Sequence, residues 1–329
     1  MKTFIKKTIV AVLLLTASVN LLFAQEDLQG GQFIFDKTFI NPAFSGLDNK
    51  LETDLHYQML GGGQATNNAY VISAGANIQL EKAKSGMGIN VIRSTFGNDN
   101  YTVGYINYAY HLKVSEQTML SSSLSLGIQQ YDIDLSGAIT SENNDPLAQS
   151  SVYNSRLNGR FGFLASIEKK YYFGASFDNI FSQYKNRDDF DNATPSAYRR
   201  ISMYLLAGVN MQYDSGVVFN PSVLYISNFG GISYADLNLM LTLNNTVSFG
   251  LGFRQSLENS RSAEANSNNL KNFSRSLIRP MFQYQLNGKK DNLKIGYCYN
   301  FNANRDVAIG HSSHDISLVF SLPLSPEAL

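Results

Sequence analysis

Two of the four histidines, His311 and His314, stand close enough in the chain to suggest a metal site. A zinc ion needs its imidazole ligands to converge, and side chains three positions apart do so on a helix. On a strand the same two side chains point to opposite faces. The residues around this pair alternate as a strand does, so we expect no metal ligands here.

A hydrolase would need a nucleophile with a base within reach, and serines are frequent near His314 and Asp315. The chain has no G-x-S-x-G motif, the sequence that presents a serine nucleophile on a sharp turn. Scattered Ser, His and Asp residues are expected by chance in 329 residues. We therefore expect no catalytic residues and no cofactor. An enzyme that turns over a lipid or peptide through His311 or His314 is kept as an alternative.

Acidic clusters offer another kind of site, because carboxylate oxygens are ligands of calcium. One cluster contains Asp188, Asp189 and Asp191, and the other is the run 142–145. Neither matches the ligand spacing of a defined calcium loop. We interpret both as solvated charge on exposed loops and leave calcium binding open.

Polar residues also alternate along the stretch that contains Glu52, Asp54, His56 and Gln58. In a strand they share one face, which favours either an ordinary wet lumen or a selectivity or ligand site. Cys298 is the only cysteine, so no intrachain disulfide is possible. Its expected role is that of a small structural residue.

Strands must position these side chains, and the stretch VSFGLGFR at 247–254 shows the strand pattern most clearly. Val247, Phe249, Leu251 and Phe253 occupy one face, and Ser, Gly and Arg occupy the other. In a membrane barrel the apolar face contacts lipid and the small polar face lines the lumen. In a soluble sandwich a second layer would cover the apolar face.

The alternation recurs in about fourteen runs over residues 50–329, without helices that could form a second layer. Past the N-terminal leader, no stretch reaches the ~20 apolar residues of a spanning helix, so a closed barrel is the only spanning structure left. We predict one all-β domain, a transmembrane antiparallel up-and-down β-barrel of about 14 strands. Pro221 weakens the run Val217–Ser227, because proline cannot donate to a strand ladder.

Residues 1–24 are typical of a secretory signal peptide. Lys2, Lys6 and Lys7 precede an apolar run, and Ala24 precedes the expected cleavage site. The whole chain has 26 basic and 26 acidic residues, so loss of these lysines leaves a slightly acidic mature protein. This charge balance does not favour nucleic acid as a partner.

The N-terminal segment 25–49 shows no strand alternation. It is rich in phenylalanine and isoleucine and is interrupted by Pro42 and Gly46. Such a segment is too apolar to remain free in water. We expect it to pack on or in the barrel.

Connection lengths give an independent indication of a membrane barrel. On our boundaries the odd-numbered connections are on average about three times as long as the even-numbered ones, as extracellular loops and periplasmic turns are. This parity places both termini in the periplasm. The long loops 132–155, 181–198 and 256–273 are therefore the expected contact surface for an outside partner. The candidate partner-binding residues in these loops are Asp132, Asn144, Asp145, Arg187, Asp188, Asp189, Arg261 and Lys271.

Three segments resemble a known family. FINPAFSG at 39–46 resembles the N-terminal signature of the PorP/SprF family of outer-membrane proteins. NLKIGYCYNF at 292–301 and GHSSHDISLVF at 310–320 resemble two segments near the end of that family, with Cys298 where serine is usual. The family-signature residues are Phe39, Asn41, Pro42, Ala43, Phe44, Gly46, Gly296, Tyr297, Tyr299, His314, Asp315 and Ile316.

The resemblance implies a non-enzymatic outer-membrane component of the type IX secretion system of Bacteroidetes. Members of the family take part in the export or surface anchoring of large adhesins, including gliding-motility adhesins. The implied partners are the C-terminal domain of a secreted adhesin, the translocon and periplasmic components of the system, and outer-membrane lipid. The alternative is a porin-like solute channel, since fourteen strands enclose more space than the about eight whose side chains fill a barrel.

Overall fold

The computed structural model describes residues 32–61, 69–80, 83–133, 152–181, 201–214, 216–229, 233–257, 276–288, 291–303 and 312–324. These residues form a closed antiparallel barrel of 14 spanning strands, which confirms the predicted fold class. None of the helices in these ranges is long and apolar enough to cross a membrane.

The strands occur in chain order. They are β1 (Lys50–Gly61), β2 (Ala69–Leu80), β3 (Ser85–Phe96), β4 (Asp99–Lys113), β5 (Thr118–Ile133), β6 (Val152–Ile167), β7 (Tyr171–Asp178), β8 (Ser202–Val209), β9 (Met211–Asp214), β10 (Val217–Ser227), β11 (Ser233–Leu243), β12 (Val247–Leu257), β13 (Ser276–Asn287), β14 (Asn292–Asn302) and β15 (Ser312–Pro323). Apart from β8 and β9, each pairs with its neighbours in sequence, and β1 pairs with β15 to close the barrel.

One spanning strand is divided into β8 and β9 at Asn210, and both pieces pair with β10. The break lies opposite Asn220 and Pro221, where the proline has no N–H to donate across the ladder. The side chain of Asn220 donates to that of Asn210 over 2.8 Å instead. On its other side Pro221 stays in register with Leu239. The weak run therefore does form a strand, with the irregularity confined to one neighbour.

The two faces of the wall differ as the alternation predicts. In β12, Phe249, Leu251 and Phe253 are 43–52% exposed on the outer face, and Ser248 and Arg254 are buried inside. Leaving this apolar surface in water would cost about 25 cal/mol per Å². Across the described strands the same outer face carries leucine, isoleucine and tyrosine, so it is suited to contact with lipid.

Strands β5 and β6 both extend into the predicted loop 132–155. Asp132 lies within β5, which ends at Ile133, whereas the sequence analysis placed a loop from Asp132 onward. Its carboxylate accepts a hydrogen bond of 3.0 Å from Asn100 in β4. The partner strand β6 begins at Val152, opposite Ile133. Cross-strand pairing therefore continues beyond the run of alternation that the sequence analysis recognised.

Candidate functional site

The barrel encloses a short folded segment, residues 32–49, that we call the lumenal segment. It contains helix α1 (Gln32–Phe35) and two single 3₁₀ turns, Lys37–Phe39 and Pro42–Phe44. Each turn is capped by the residue before it. Asp36 accepts from the backbone N–H of Thr38 over 2.8 Å, and Asn41 accepts from that of Ala43 over 2.9 Å.

Polar side chains join this segment to the wall in both directions. Arg160 of β6 donates to the carbonyl of Phe39 over 2.6 Å, and Ser176 of β7 donates to the carbonyl of Ile40 over 2.6 Å. Asn41 donates in return to the carbonyl of Phe163 over 2.9 Å. These groups are buried, so each bond replaces water that the backbone would otherwise need.

Gly46 brings the end of the segment against β3 without space for a side chain. A β-carbon on Gly46 would collide with the carbonyl of Ile78 and the α-carbon of Gly86. The φ angle of Gly46 is +63°, a left-handed conformation that favours glycine. Next to it, a ring nitrogen of His111 lies 3.1 Å from the carbonyl oxygen of Ser45.

An apolar patch on the inner wall is covered by the same segment. Ile40 and Ala43 of the segment pack against it. The patch itself is formed by Leu164, Tyr172, Tyr204, Leu206, Leu224 and Ile226. Inward-facing apolar residues depart from the expected polar lumen, and the reason is that this part of the lumen is filled with protein rather than water.

Lys37 lies in this covered region, with its ammonium 4.7 Å from the centroid of the Tyr172 ring and 5.7 Å from that of Phe44. Burial lowers the pKa of the Lys37 ammonium, although Asp48 and Asp36 act in the opposite direction. The aromatic faces offset part of the cost of burying this charge.

Two groups of buried ion pairs connect strands of the wall. Arg160 donates to Asp178 over 2.8 Å. On the other side of the barrel, Asp236 accepts from Arg254 over 2.7 Å and lies 3.3 Å from a nitrogen of Arg279. Sequence analysis did not single out these residues. Their signal was a charged residue at an inward position of an otherwise small and polar face.

The first signature, FINPAFSG, lies entirely in the lumenal segment, and its residues contact the wall. Asn41 caps the second 3₁₀ turn, and Pro42 begins it. Phe39, Ala43 and Gly46 pack inside the barrel. Phe44 is half-buried and contacts the ring of Tyr172 edge-on at 5.9 Å.

The second and third signatures meet as neighbours in β14 and β15, but their residues divide between two faces. Gly296 lies inside next to the ring of Phe35. Asp315 is also inside and accepts from Asn300 over 3.1 Å. On the outer face the Tyr297 hydroxyl lies 2.8 Å from a ring nitrogen of His314.

Tyr299 contacts the ring of His314 at 4.8 Å, and Ile316 is exposed on the same outer face. His314 therefore points away from the lumen, as a strand position requires, and His311 lies outside the described residues. Cys298 is buried on the inner face beside Asp315, in keeping with the expected structural role.

The candidate partner-binding loops are mostly beyond the described part of the chain. Asp132 is the exception and belongs to β5. The residues outside the described ranges are Asn144, Asp145, Arg187, Asp188, Asp189, Arg261 and Lys271.

Several solved structures share the fold at low sequence identity. The CymD monoaromatic hydrocarbon channel aligns with a TM-score of 0.56 and 11% identity, covering 92% of this chain and 95% of that one. The toluene transporter TbuX of Ralstonia pickettii gives 0.52 and 11%, covering 90% and 94%. A FadL homologue of Pseudomonas aeruginosa gives 0.50 and 10%, covering 88% and 94%. At such identities the likeness concerns the fold alone.

The family comparison is more specific. A search of the curated proteins finds no match. The model of the type IX secretion system membrane protein PorP/SprF matches residues 22–320, which include the lumenal segment and all the described strands up to Phe320. The chain therefore belongs to the PorP/SprF family of type IX secretion membrane proteins, and its barrel is an outer-membrane one.

Proposed function

We propose that this barrel is a non-enzymatic anchor of the type IX secretion system that binds the C-terminal domain of a large secreted adhesin at its extracellular loops. Binding there would support export or surface retention of the adhesin, including adhesins of the gliding type. The translocon and periplasmic components of the same system would be its other partners. Family membership supports this role.

The observation that carries the proposal is the segment that fills part of the lumen. Residues 36–46 lie almost wholly buried inside the wall and are bonded to several strands. A barrel filled in this way is better suited to present an outer surface than to pass solutes. The predicted long polar loops, 132–155, 181–198 and 256–273, would provide the surface for a protein partner.

The test is co-purification of the barrel with a candidate adhesin from cells that produce both. Each of the three loops is replaced in turn by a Gly/Ser linker of the same length, and a replaced periplasmic turn at 289–290 serves as the control. We expect loss of adhesin from the complex and from the cell surface with at least one loop replacement. Unchanged surface adhesin in all three would contradict adhesin capture.

A solute channel is the second candidate, and solved structures of similar fold favour it, since they include a monoaromatic hydrocarbon channel and a toluene transporter. Conductance in planar bilayers distinguishes the two. A filled anchor should be silent and should conduct only when residues 25–49 are deleted. An intact barrel that conducts steadily or takes up a small solute would favour the channel.

We also expect the signal peptide to be cleaved after Ala24. Intact mass spectrometry of the protein purified from outer membranes checks this directly, because the mass should be that of a chain beginning at Gln25.

A further inference from the structure

Three buried side chains meet where the lumenal segment touches β1, and the proposed function does not use them. They are Asp36 of the segment and Asp54 and His56 of the strand. One ligand atom from each lies within 4.8 Å of the other two. The group therefore joins the segment to the wall.

Two of these side chains have no hydrogen-bond partner. Both carboxylate oxygens of Asp54 and both ring nitrogens of His56 are buried without one. Each side chain is only 1% exposed. Buried polar atoms in native proteins are nearly always satisfied, because an unpaired one loses its hydration without compensation. Unsatisfied atoms on two adjacent side chains indicate that a ligand binds at this place.

The third side chain is already oriented. The two oxygens of Asp36 accept from the N–H of Thr38 over 2.8 Å and from its hydroxyl over 2.6 Å. Such bonds fix a carboxylate in the way that outer-sphere contacts fix metal ligands. The ring of Phe39 packs edge-on against that of His56 at 5.4 Å and covers the group.

The local charge also calls for a cation. Asp36 and Asp54 bring two acids together in a buried place. The neighbouring Lys37 directs its ammonium to the Tyr172 ring, 4.7 Å away. The basic group beside them is the imidazole of His56, 3.5 Å from Asp54.

The spacing of the two β1 ligand atoms suits zinc. In a tetrahedral site with bonds of about 2.1 Å, two ligand atoms lie about 3.4 Å apart. The distance between His56 Nε2 and Asp54 Oδ2 is 3.5 Å. Calcium and magnesium prefer six or more oxygen ligands, whereas an imidazole with two carboxylates suits a first-row transition metal.

We propose that Asp36, Asp54 and His56 bind one zinc ion, which ties the lumenal segment to β1. The ion neutralises the two carboxylates and gives a partner to Asp54 and to one ring nitrogen of His56. This site does not depend on adhesin binding, so the two proposals can fail separately.

The experiment uses the full mature barrel, purified in detergent without a histidine tag. The protein is incubated with zinc chloride and dialysed against metal-free buffer, and bound zinc is measured by plasma mass spectrometry. We expect about one zinc per chain in the wild type and at least tenfold weaker binding in D36N, D54N and H56Q, since each loses a direct ligand. The matched control is H314Q, which removes an outward-facing histidine and should retain zinc.

Heat-modifiable migration on gels shows whether each variant still forms a barrel. D36N changes no strand residue, so it decides the matter if D54N or H56Q fails to fold. Zinc bound equally by D36N and the wild type would overturn the proposal. A wild type that binds no zinc would also overturn it and would assign the group to a proton shared between the two acids.

Discussion

The guanidinium of Arg160 donates to the carbonyl oxygen of Phe39 over 2.6 Å and to the carboxylate of Asp178 over 2.8 Å. One buried side chain thus joins the lumenal segment to two strands of the wall. The backbone of the segment is held from β6, far along the chain from the segment itself. Because Arg160 contacts the main-chain carbonyl of Phe39, this contact does not depend on the Phe39 side chain.

Arg160→Met should release this joint. The methionine retains much of the side-chain volume but removes the ion pair with Asp178 and the hydrogen bond to the Phe39 carbonyl in a buried place. Loss of one partner of a buried ion pair costs about 3–5 kcal/mol. Urea unfolding in detergent, followed by circular dichroism, measures the loss. Arg93→Met on the exposed outer face is the control and should change the unfolding free energy little.

Gly46→Ala should be far more harmful than Gly97→Ala. Both glycines have a left-handed φ, +63° and +60°, so both substitutions pay about 1–2 kcal/mol for the backbone. A β-carbon at Gly97 meets no atom within 4 Å, whereas one at Gly46 meets the backbone of β2 and β3. We expect Gly46→Ala to cost about 1–3 kcal/mol more. Thermal unfolding of the two variants makes the comparison, and equal losses would contradict the close approach at Gly46.

Asn41→Asp should displace the 3₁₀ turn Pro42–Phe44, which Asn41 caps, from the wall. Its amide donates to the carbonyl of Phe163 over 2.9 Å and to that of Ala175 over 3.4 Å. A carboxylate has no donor and would place a negative charge against two carbonyl oxygens, at a cost of about 3 kcal/mol or more. Protease sensitivity of the lumenal segment should rise, together with bilayer conductance.

The matched control for this substitution is Asn210→Asp. Asn210 also donates to a main-chain carbonyl, that of Lys169 over 3.3 Å, but it does so on an exposed surface. Water can replace the lost bond there. A protease pattern that changes equally in both variants would show that the buried bonds of Asn41 do not hold the segment.

The lowered pKa of Lys37 predicts a pH dependence of stability. The unfolded chain binds a proton at Lys37 more tightly than the folded one, so stability should rise as pH increases from the folded pKa toward 10.5. Lys37→Met carries no charge in either state and should abolish the rise. Urea unfolding between pH 8 and 10.5 measures it, with the exposed Lys84→Met as a control that should retain it. Identical slopes in wild type and Lys37→Met would contradict this origin.

The wall of the barrel was predictable because its signal is local. In β12 each residue from Val247 to Arg254 takes the face that alternation assigns to it. The position of Asp132 was missed because that end of β5 is paired by its neighbours rather than marked by apolar residues. Pro221 weakened the prediction of a strand at Val217–Ser227. The strand forms nonetheless, because the missing donor interrupts only the neighbouring strand, which divides into β8 and β9.

The interior was less predictable because its contacts join distant parts of the chain. The expectation that an apolar N-terminal segment packs on or in a barrel follows from composition, but its path past Arg160 and Ser176 does not. Asp54 and His56 could be placed together on an inner face of β1, whereas nothing in the spacing brings Asp36 to them. Inward apolar residues such as Leu164 and Leu224 make sense only with the segment in place.

The ladder between β1 and β15 joins Lys50 to Pro323, nearly opposite ends of the chain. The barrel can close only after β15 has reached the membrane. The segment just ahead of β1 then becomes enclosed at the same step that seals the wall. A chain truncated before Ser312 would lack β15, so its wall would stay open and would not enclose the lumenal segment. Proper insertion therefore depends on residues 312–323.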